Sequence, residues 1–439
     1  MNHRFPLAAL SLSMTLSALG TSSANIALPT LARHFDATVP QVQWVVIAYL
    51  LAVTTLIVSA GRLGDQIGRR RLLLGGTALF TLASTLCGLA PTLELLIAGR
   101  AVQGLGAAAM MAMTMAVATD TVAAGQTGRV MGLMGTMSAI GTALGPSLGG
   151  ALITIAGWQA IFLINLPLGL LALTLAARHL PVDPATNRHQ DFDLAGTALL
   201  GLTLAAYAVS MTGGGRLTPV LLVATAAGAA GFVWLQNHVK TPLIPRGALQ
   251  VPGMKPALLM NLLVSTVIMS TLVVGPFYLS LGLGLTAAQV GLIMSVGPVI
   301  SALSGVVAGR LVDRLGSRPT LRLALFGMLI GTLALAILPM LSGAPGFIAA
   351  IALLTPGYQL FQAANNTAVM QGVPAERRGV TSGLLNLSRN LGLVTGASLM
   401  GAVFAAASTR SISIGTQTTF LLAAVLITLA LLAALRPGA

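Results

Sequence analysis

Acidic side chains are scarce in this chain. Asp and Glu number 9, against 23 Lys and Arg in 439 residues. Asp36, Asp65, Glu94, Asp120, Asp183, Asp191, Asp193, Asp313 and Glu376 all fall in connections or at the ends of apolar runs. Charge of either sign makes up 7% of residues, too little for the surface of a soluble fold of this size. Cys87 is the lone cysteine and lies in an apolar run, which excludes an internal disulfide and a cysteine metal cluster. His3, His34, His179, His189 and His238 are confined to tails and loops. No His–acid constellation therefore presents itself within the apolar runs, and neither an enzyme nor a resident metal is expected.

What is there is apolar sequence. Hydrophobic residues make up 56% of the chain and the mean hydropathy is +0.91. A helix needs roughly 20 apolar residues to cross the hydrocarbon. By that rule spans are predicted near 6–30, 42–61, 72–90, 95–118, 129–153, 159–177, 194–212, 218–236, 257–280, 287–308, 320–340, 346–368, 380–404 and 417–435. The first run is longer than a signal-peptide core of roughly 7–15 residues, so it reads as an uncleaved span. The fold class expected is an all-α membrane protein of about fourteen helices.

The net charge of +14 does not point to nucleic acid, because the basic residues sit in short links between spans. With both termini in the cytoplasm, only Arg33, Arg216 and Arg410 face outward and only Arg100 and Arg389 fall within spans. The rest of the 23 face inward, as the positive-inside rule asks.

One internal repeat is clear. Gly61-Arg62-Leu63-Gly64-Asp65-Gln66-Ile67-Gly68-Arg69-Arg70 follows the second span, and Gly309-Arg310-Leu311-Val312-Asp313-Arg314-Leu315-Gly316-Ser317-Arg318 follows the tenth. Repeated halves of six helices would put these copies six spans apart, yet they stand eight apart. The seventh and eighth spans thus read as an insertion, giving 1–180, 181–255 and 256–439 as N-terminal half, insert with linkers, and C-terminal half. Repeated halves around a central site are a transporter architecture. Gly61, Gly68, Gly309 and Gly316 allow tight turns and close helix approach, while Asp65 and Asp313 suit a pairing with Arg62, Arg69, Arg70 or Arg318, or a helix N-terminus. Such contacts lock one access state and break in the other.

Polar side chains within spans are the candidate substrate contacts. Gln103 follows Arg100 on the same helical face. Gln359, Gln362 and Asn366 share a face of the twelfth span, with Asn365 beside it, and Asn386, Arg389 and Asn390 share one of the thirteenth. Asn25 and Asn261 are of the same kind. These stripes serve either helix–helix hydrogen bonds or a central polar cavity. Gly141, Gly145 and Gly149 recur every four residues in the fifth span, a close-packing face, with Gly150 and a kinkable Pro146 alongside.

Several of these segments resemble the major facilitator superfamily. Gly61–Arg71 is similar to its signature cytoplasmic loop. Arg100-Ala-Val-Gln103-Gly104-Leu-Gly106 is similar to its fourth-helix motif, and Gly141–Gly150 to the fifth-helix motif of its exporters. Asn25-Ile-Ala-Leu-Pro29 and Trp158–Gly169 resemble motifs of the fourteen-helix drug:proton antiporter group. The resemblance implies efflux of small amphiphilic compounds by alternating access, a proton gradient in place of a cofactor, a periplasmic hinge in the segment of Gly141, Gly145, Pro146, Gly149 and Gly150, and a bacterial cytoplasmic membrane. No nucleic-acid partner is expected, and a monomer in the bilayer is. Relatives in that group carry an Asp where this chain has Gly20. The alternative is an uncoupled facilitator or a metabolite exporter of the same fold.

Overall fold

Lipid offers no partner to a backbone N–H or C=O, so apolar runs of this length must satisfy themselves by coiling into helices. The computed structural model describes residues 4–120, 127–183, 193–213, 217–239, 242–243, 253–370 and 378–435, and some side chains within helices, those of Arg62 and Asp65 included, lie outside the description. The chain runs through α1 (Arg4–His34), α2 (Val39–Ile67), α3 (Arg69–Gly88), α4 (Leu93–Asp120) and α5 (Thr127–Ala156). A short α6 (Ala160–Leu163) leads into α7 (Asn165–His179), and α8 (Leu194–Gly213) and α9 (Thr218–His238) follow. Then come α10 (Met254–Phe277), extended by a π turn at Tyr278–Gly282, α11 (Ala287–Leu315), α12 (Ser317–Ser342) and α13 (Ala344–Met370). A π turn at Gly396–Met400 joins α14 (Arg378–Thr395) to α15 (Gly401–Ala407), and α16 (Ile412–Leu435) ends the series. Fourteen of these segments are long and apolar enough to span a membrane, and no strand occurs among the described residues.

The two repeated loops are tighter than the sequence suggests. Gly61 and Gly309 make no turn: both lie inside helices, with nothing within 4 Å of a Cβ added to either. The helix persists until a residue can adopt positive φ. That residue is Gly68 (φ 101°, ψ 134°) in the first copy and Gly316 (φ 81°, ψ 162°) in the second, each the one residue between two helices. Matching dihedrals at matching offsets make the repeat a structural one.

Contacts divide the chain into two compact units, one of residues 1–38, 44–207 and 219–243, the other of residues 39–43, 208–218 and 244–439. In the first, α1 packs on α5, and α3 on α4 and α7. In the second, α10 packs on α14, and α12 on α13 and α16. The pairings correspond helix for helix. Glycine makes both crossings close. A Cβ at Gly141 would meet the Thr15 carbonyl oxygen at 2.5 Å, and one at Gly145 would collide with the Ser22 hydroxyl, so α5 lies against α1. In the second unit a Cβ at Gly396 would meet the Thr266 carbonyl oxygen at 2.5 Å, and one at Gly392 would collide with that of Leu262. Pro146 is buried inside a continuous α5, as are Gly149 and Gly150.

Candidate functional site

The centre of the first unit is built around a buried cation. Arg100 is 0% exposed. Its Nε donates to the Val45 carbonyl at 2.9 Å, and its Nη1 donates to the Gly20 carbonyl at 3.1 Å and to Oε1 of Gln103 at 2.6 Å. The guanidinium lies over the Tyr49 ring, 4.1 Å from its centroid, and 5.8 Å from that of Phe162. Helices that bring no acid hold the charge with backbone dipoles and π faces instead. Nη2 has no partner. A buried charge left partly unsatisfied costs several kcal/mol, roughly, which makes this position a functional candidate more than a stabilising one.

Small residues let α4 come near enough for those contacts. A Cβ at Gly104 would meet the Tyr49 carbonyl oxygen at 2.6 Å, and one at Gly106 would meet the Phe80 nitrogen at 2.6 Å. Gln103 extends the network. Its Nε2 donates to Oγ of Ser84 at 2.9 Å, Nδ2 of Asn165 donates to the same oxygen at 2.8 Å, and Ser84 donates its own proton to the Phe162 carbonyl at 2.9 Å. A hydroxyl has one proton and two lone pairs, so Ser84 is fully used. Tyr49 is fixed in turn: its hydroxyl donates to the Ser17 carbonyl at 3.1 Å and accepts from Thr21 at 3.3 Å.

Gly20 sits within this cluster, and the structure closes the space beside it. A Cβ at Gly20 would lie 2.9 Å from Cζ of Phe80 and 3.6 Å from the Tyr49 hydroxyl. Phe80 therefore occupies the room a longer side chain would need.

Asn25 and Asn261 are buried, each with its amide oxygen unpartnered and its amide nitrogen tied to backbone. Asn25 donates to the Thr21 carbonyl one turn back at 3.1 Å, and Asn261 on α10 donates to the Leu385 carbonyl on α14 at 2.7 Å. In the second unit α13 carries Gln359, bonded to Ser301 of α11, and Gln362, which donates to the Tyr358 hydroxyl at 3.0 Å. Asn365 is 1% exposed with neither amide atom partnered, whereas Asn366 is exposed. On α14, Asn386 and Arg389 are exposed and Asn390 is half-buried. An exposed Arg within a spanning helix needs an aqueous or protein-lined face, because lipid does not accept it.

Among the loop residues, Asp313, Gly316 and Arg318 are exposed, and the side chains of Arg62 and Asp65 lie outside the described residues. The acid at the α3 N-terminus is Asp183, which the motif does not contain. Its Oδ1 accepts from the Arg70 N–H at 2.8 Å and its Oδ2 from the Arg71 N–H at 3.0 Å, where the helix dipole favours an anion. Arg70 itself donates to the Ala177 carbonyl at 2.6 Å. Gly68 is obligatory here, since a Cβ would collide with the Asp183 carboxylate. Sequence reading also missed Asp193, an acid that the structure buries at the start of α8. The signal for Asp193 was an Asp just before an apolar run, an N-cap pattern.

The family model described as Major Facilitator Superfamily matches residues 10–397. The chain is 32% identical to "Multidrug resistance protein Stp" of Mycobacterium tuberculosis over 87% of this chain and 72% of that protein. It is 30% identical to "Riboflavin transporter RibZ" of Clostridioides difficile over 89% of this chain and 86% of that protein. The crystal structure of a bacterial homologue of the human lysosomal transporter Spinster superposes with a TM-score of 0.69 at 15% identity, covering 98% of this chain and 97% of that one.

Proposed function

The chain belongs to the Major Facilitator Superfamily, and on that footing we propose that it exports small neutral or weakly acidic amphiphiles from the cytoplasm by alternating access. It sits in the bacterial cytoplasmic membrane with both termini inside, works without a cofactor and is driven by the proton gradient, as its resemblance to the drug:proton antiporters implies. The observation that carries the substrate class is the Arg100 cluster. Its three hydrogen bonds all go to uncharged oxygens, and Phe80 fills the space beside Gly20. A cation brought near such a centre would lose hydration and meet repulsion. A neutral or anionic amphiphile would find donors instead on Arg389 and Asn386, which α14 exposes. The relative named for multidrug resistance supports efflux, and the one named for riboflavin supports a neutral aromatic cargo.

The test is transport in proteoliposomes with riboflavin as neutral probe, ethidium as cation and fluorescein as anion, with and without an imposed pH gradient. Riboflavin or fluorescein should move faster than ethidium, and uphill only with the gradient. Ethidium moving fastest would overturn the substrate class. Transport indifferent to the gradient would favour the uncoupled facilitator.

A further inference from the structure

The polar side chains of α8 and α9 lie outside the Arg100 cluster, yet they are closely engaged. Asp193 is 6% exposed. Its Oδ1 accepts from the Gly196 N–H at 2.7 Å, and its Oδ2 accepts from Nε2 of Gln236, on α9, at 2.7 Å. One carboxylate thus caps α8 and binds α9 to it. Gly196 makes the room, since a Cβ there would meet Nε2 of Gln236 at 2.5 Å and collide with the Asp193 carboxylate. Further along, Gly228 of α9 leaves space for the Thr203 hydroxyl of α8.

The pair is also attached to α2. The buried hydroxyls of Ser59 and Thr197 are 2.7 Å apart. Thr197 spends its proton on the Asp193 carbonyl at 2.8 Å, so Ser59 is the donor between them. One turn on, a Cβ at Gly201 would lie 3.7 Å from Cβ of Thr55. Thr55 and Ser59 are in the turns of α2 that lead towards the Gly68 loop. Lipid gives apolar helices no hydrophobic reason to associate, so packing and polar contacts must hold them. That applies with force to α9, which exposes Leu222, Val223, Val233 and Trp234 and buries little besides Phe232 and Gln236.

We propose that α8 and α9, through residues 194–207 and 219–238, form a fixed part of the N-terminal unit throughout the transport cycle. Asp193 is the positioning residue that clamps them together, and the Thr197–Ser59 and Gly201–Thr55 contacts dock them on α2. The insert is then neither a loose linker nor a moving gate. Persistence through a cycle rests on the transport reading; the clamp and the docking do not.

The experiment is a disulfide lock. In a Cys87→Ser background, which removes the native cysteine, Thr55→Cys and Gly201→Cys are introduced. Their Cβ separation falls in the disulfide range of about 3.5–4.5 Å. Copper-phenanthroline oxidation should abolish maleimide labelling of both thiols. Transport of whichever probe the parent moves fastest, among riboflavin, ethidium and fluorescein, should stay within about twofold of the reduced protein, since the lock joins parts that already move together. A fall of tenfold or more on oxidation, restored by reduction, would mean that the pair moves against α2 and would overturn the proposal, as would failure of the bond to form. Gly196→Ala and Asp193→Ala in the same background should slow cross-linking several-fold. Asp193→Asn should not, because a flipped Gln236 amide still accepts from it. Equal rates in all four proteins would remove the clamp. If the parent moves none of the probes, the transport reading fails, while the cross-linking rates still decide the docking.

Discussion

At the scale of single residues, Arg100 separates charge from shape. Its planar fork reaches the Val45 carbonyl, the Gly20 carbonyl and Gln103 together. A Lys would put its charge at one nitrogen and lose that span. Arg100→Lys should therefore lower transport about tenfold or more in vesicles while the protein still assembles. Arg100→Met removes the desolvated charge and keeps most of the bulk, so the melting temperature of the purified protein should hold or rise although transport is lost. A large drop in melting temperature with Met would show that the cation is structural. Gly20 allows a second test. Gly20→Asp alone is overpacked, because its Cβ would lie 2.9 Å from Cζ of Phe80, and should cost about 1–3 kcal/mol. Adding Phe80→Leu makes room and brings a carboxylate to the neighbourhood of the guanidinium, so the double variant should move ethidium faster relative to riboflavin than the parent does. An unchanged ratio in the vesicle competition would break the link between Gly20 and charge selectivity.

At the scale of elements, the α1–α5 crossing orders its glycines. A Cβ at Gly145 collides with the Ser22 hydroxyl, whereas one at Gly149 meets Ser23 atoms at 3.5–3.7 Å, an ordinary contact. Gly145→Ala should thus destabilise by about 1–3 kcal/mol and Gly149→Ala by far less, read as thermal shifts of the purified proteins. Equal shifts would mean that the glycine row is not the close contact. The N-terminus of α3 gives a parallel case: Asp183→Ala strips the acceptor from the Arg70 and Arg71 amides and should cost about 0.5–2 kcal/mol. These elements also show what the sequence made legible. Spans were readable because roughly 20 apolar residues are both necessary and conspicuous. The Gly141, Gly145 and Gly149 face was readable because a four-residue period lies on one strand of chain. Gly392 of α14 and Gly396 of the π turn after it, which do the same work, are overshadowed by the polar stripe beside them. Asp183 and Asp193 were passed over as acids of connections, because their donors come from Arg70, 113 residues away, and Gln236, 43 away. Arg100 and Gln103 were recognised as a pair, but the carbonyls of Gly20 and Val45 that enclose them carry no sequence signal at all.

At the scale of the whole molecule, parity governs what the insert must be. The two positive-φ turns, Gly68 and Gly316, occupy the same place in two units with matching helix pairings. Equivalent loops of a parallel repeat belong on the same side of the membrane. An insertion between the halves keeps them there only if it crosses an even number of times. The two spanning helices α8 and α9 meet that condition, and the proposed orientation, which follows the basic residues around both loops, puts that side in the cytoplasm. Removing 194–238 whole should therefore leave the orientation of the Gly316 loop unchanged, even though the Ser59 and Thr197 docking is lost. Removing α9 alone, Thr218–His238, should force the second half either to invert or to fail to insert. Paired alkaline phosphatase and green fluorescent protein fusions after Arg318 read this directly. The fluorescent fusion should be bright in the parent and in the double-helix deletion, and dark in the single deletion. A fusion placed at Gly215 in the intact chain should report the periplasm. A cytoplasmic signal at Gly215, or a bright fusion after loss of α9 alone, would mean that the insert does not cross twice, and the two-halves-plus-two architecture would have to be abandoned.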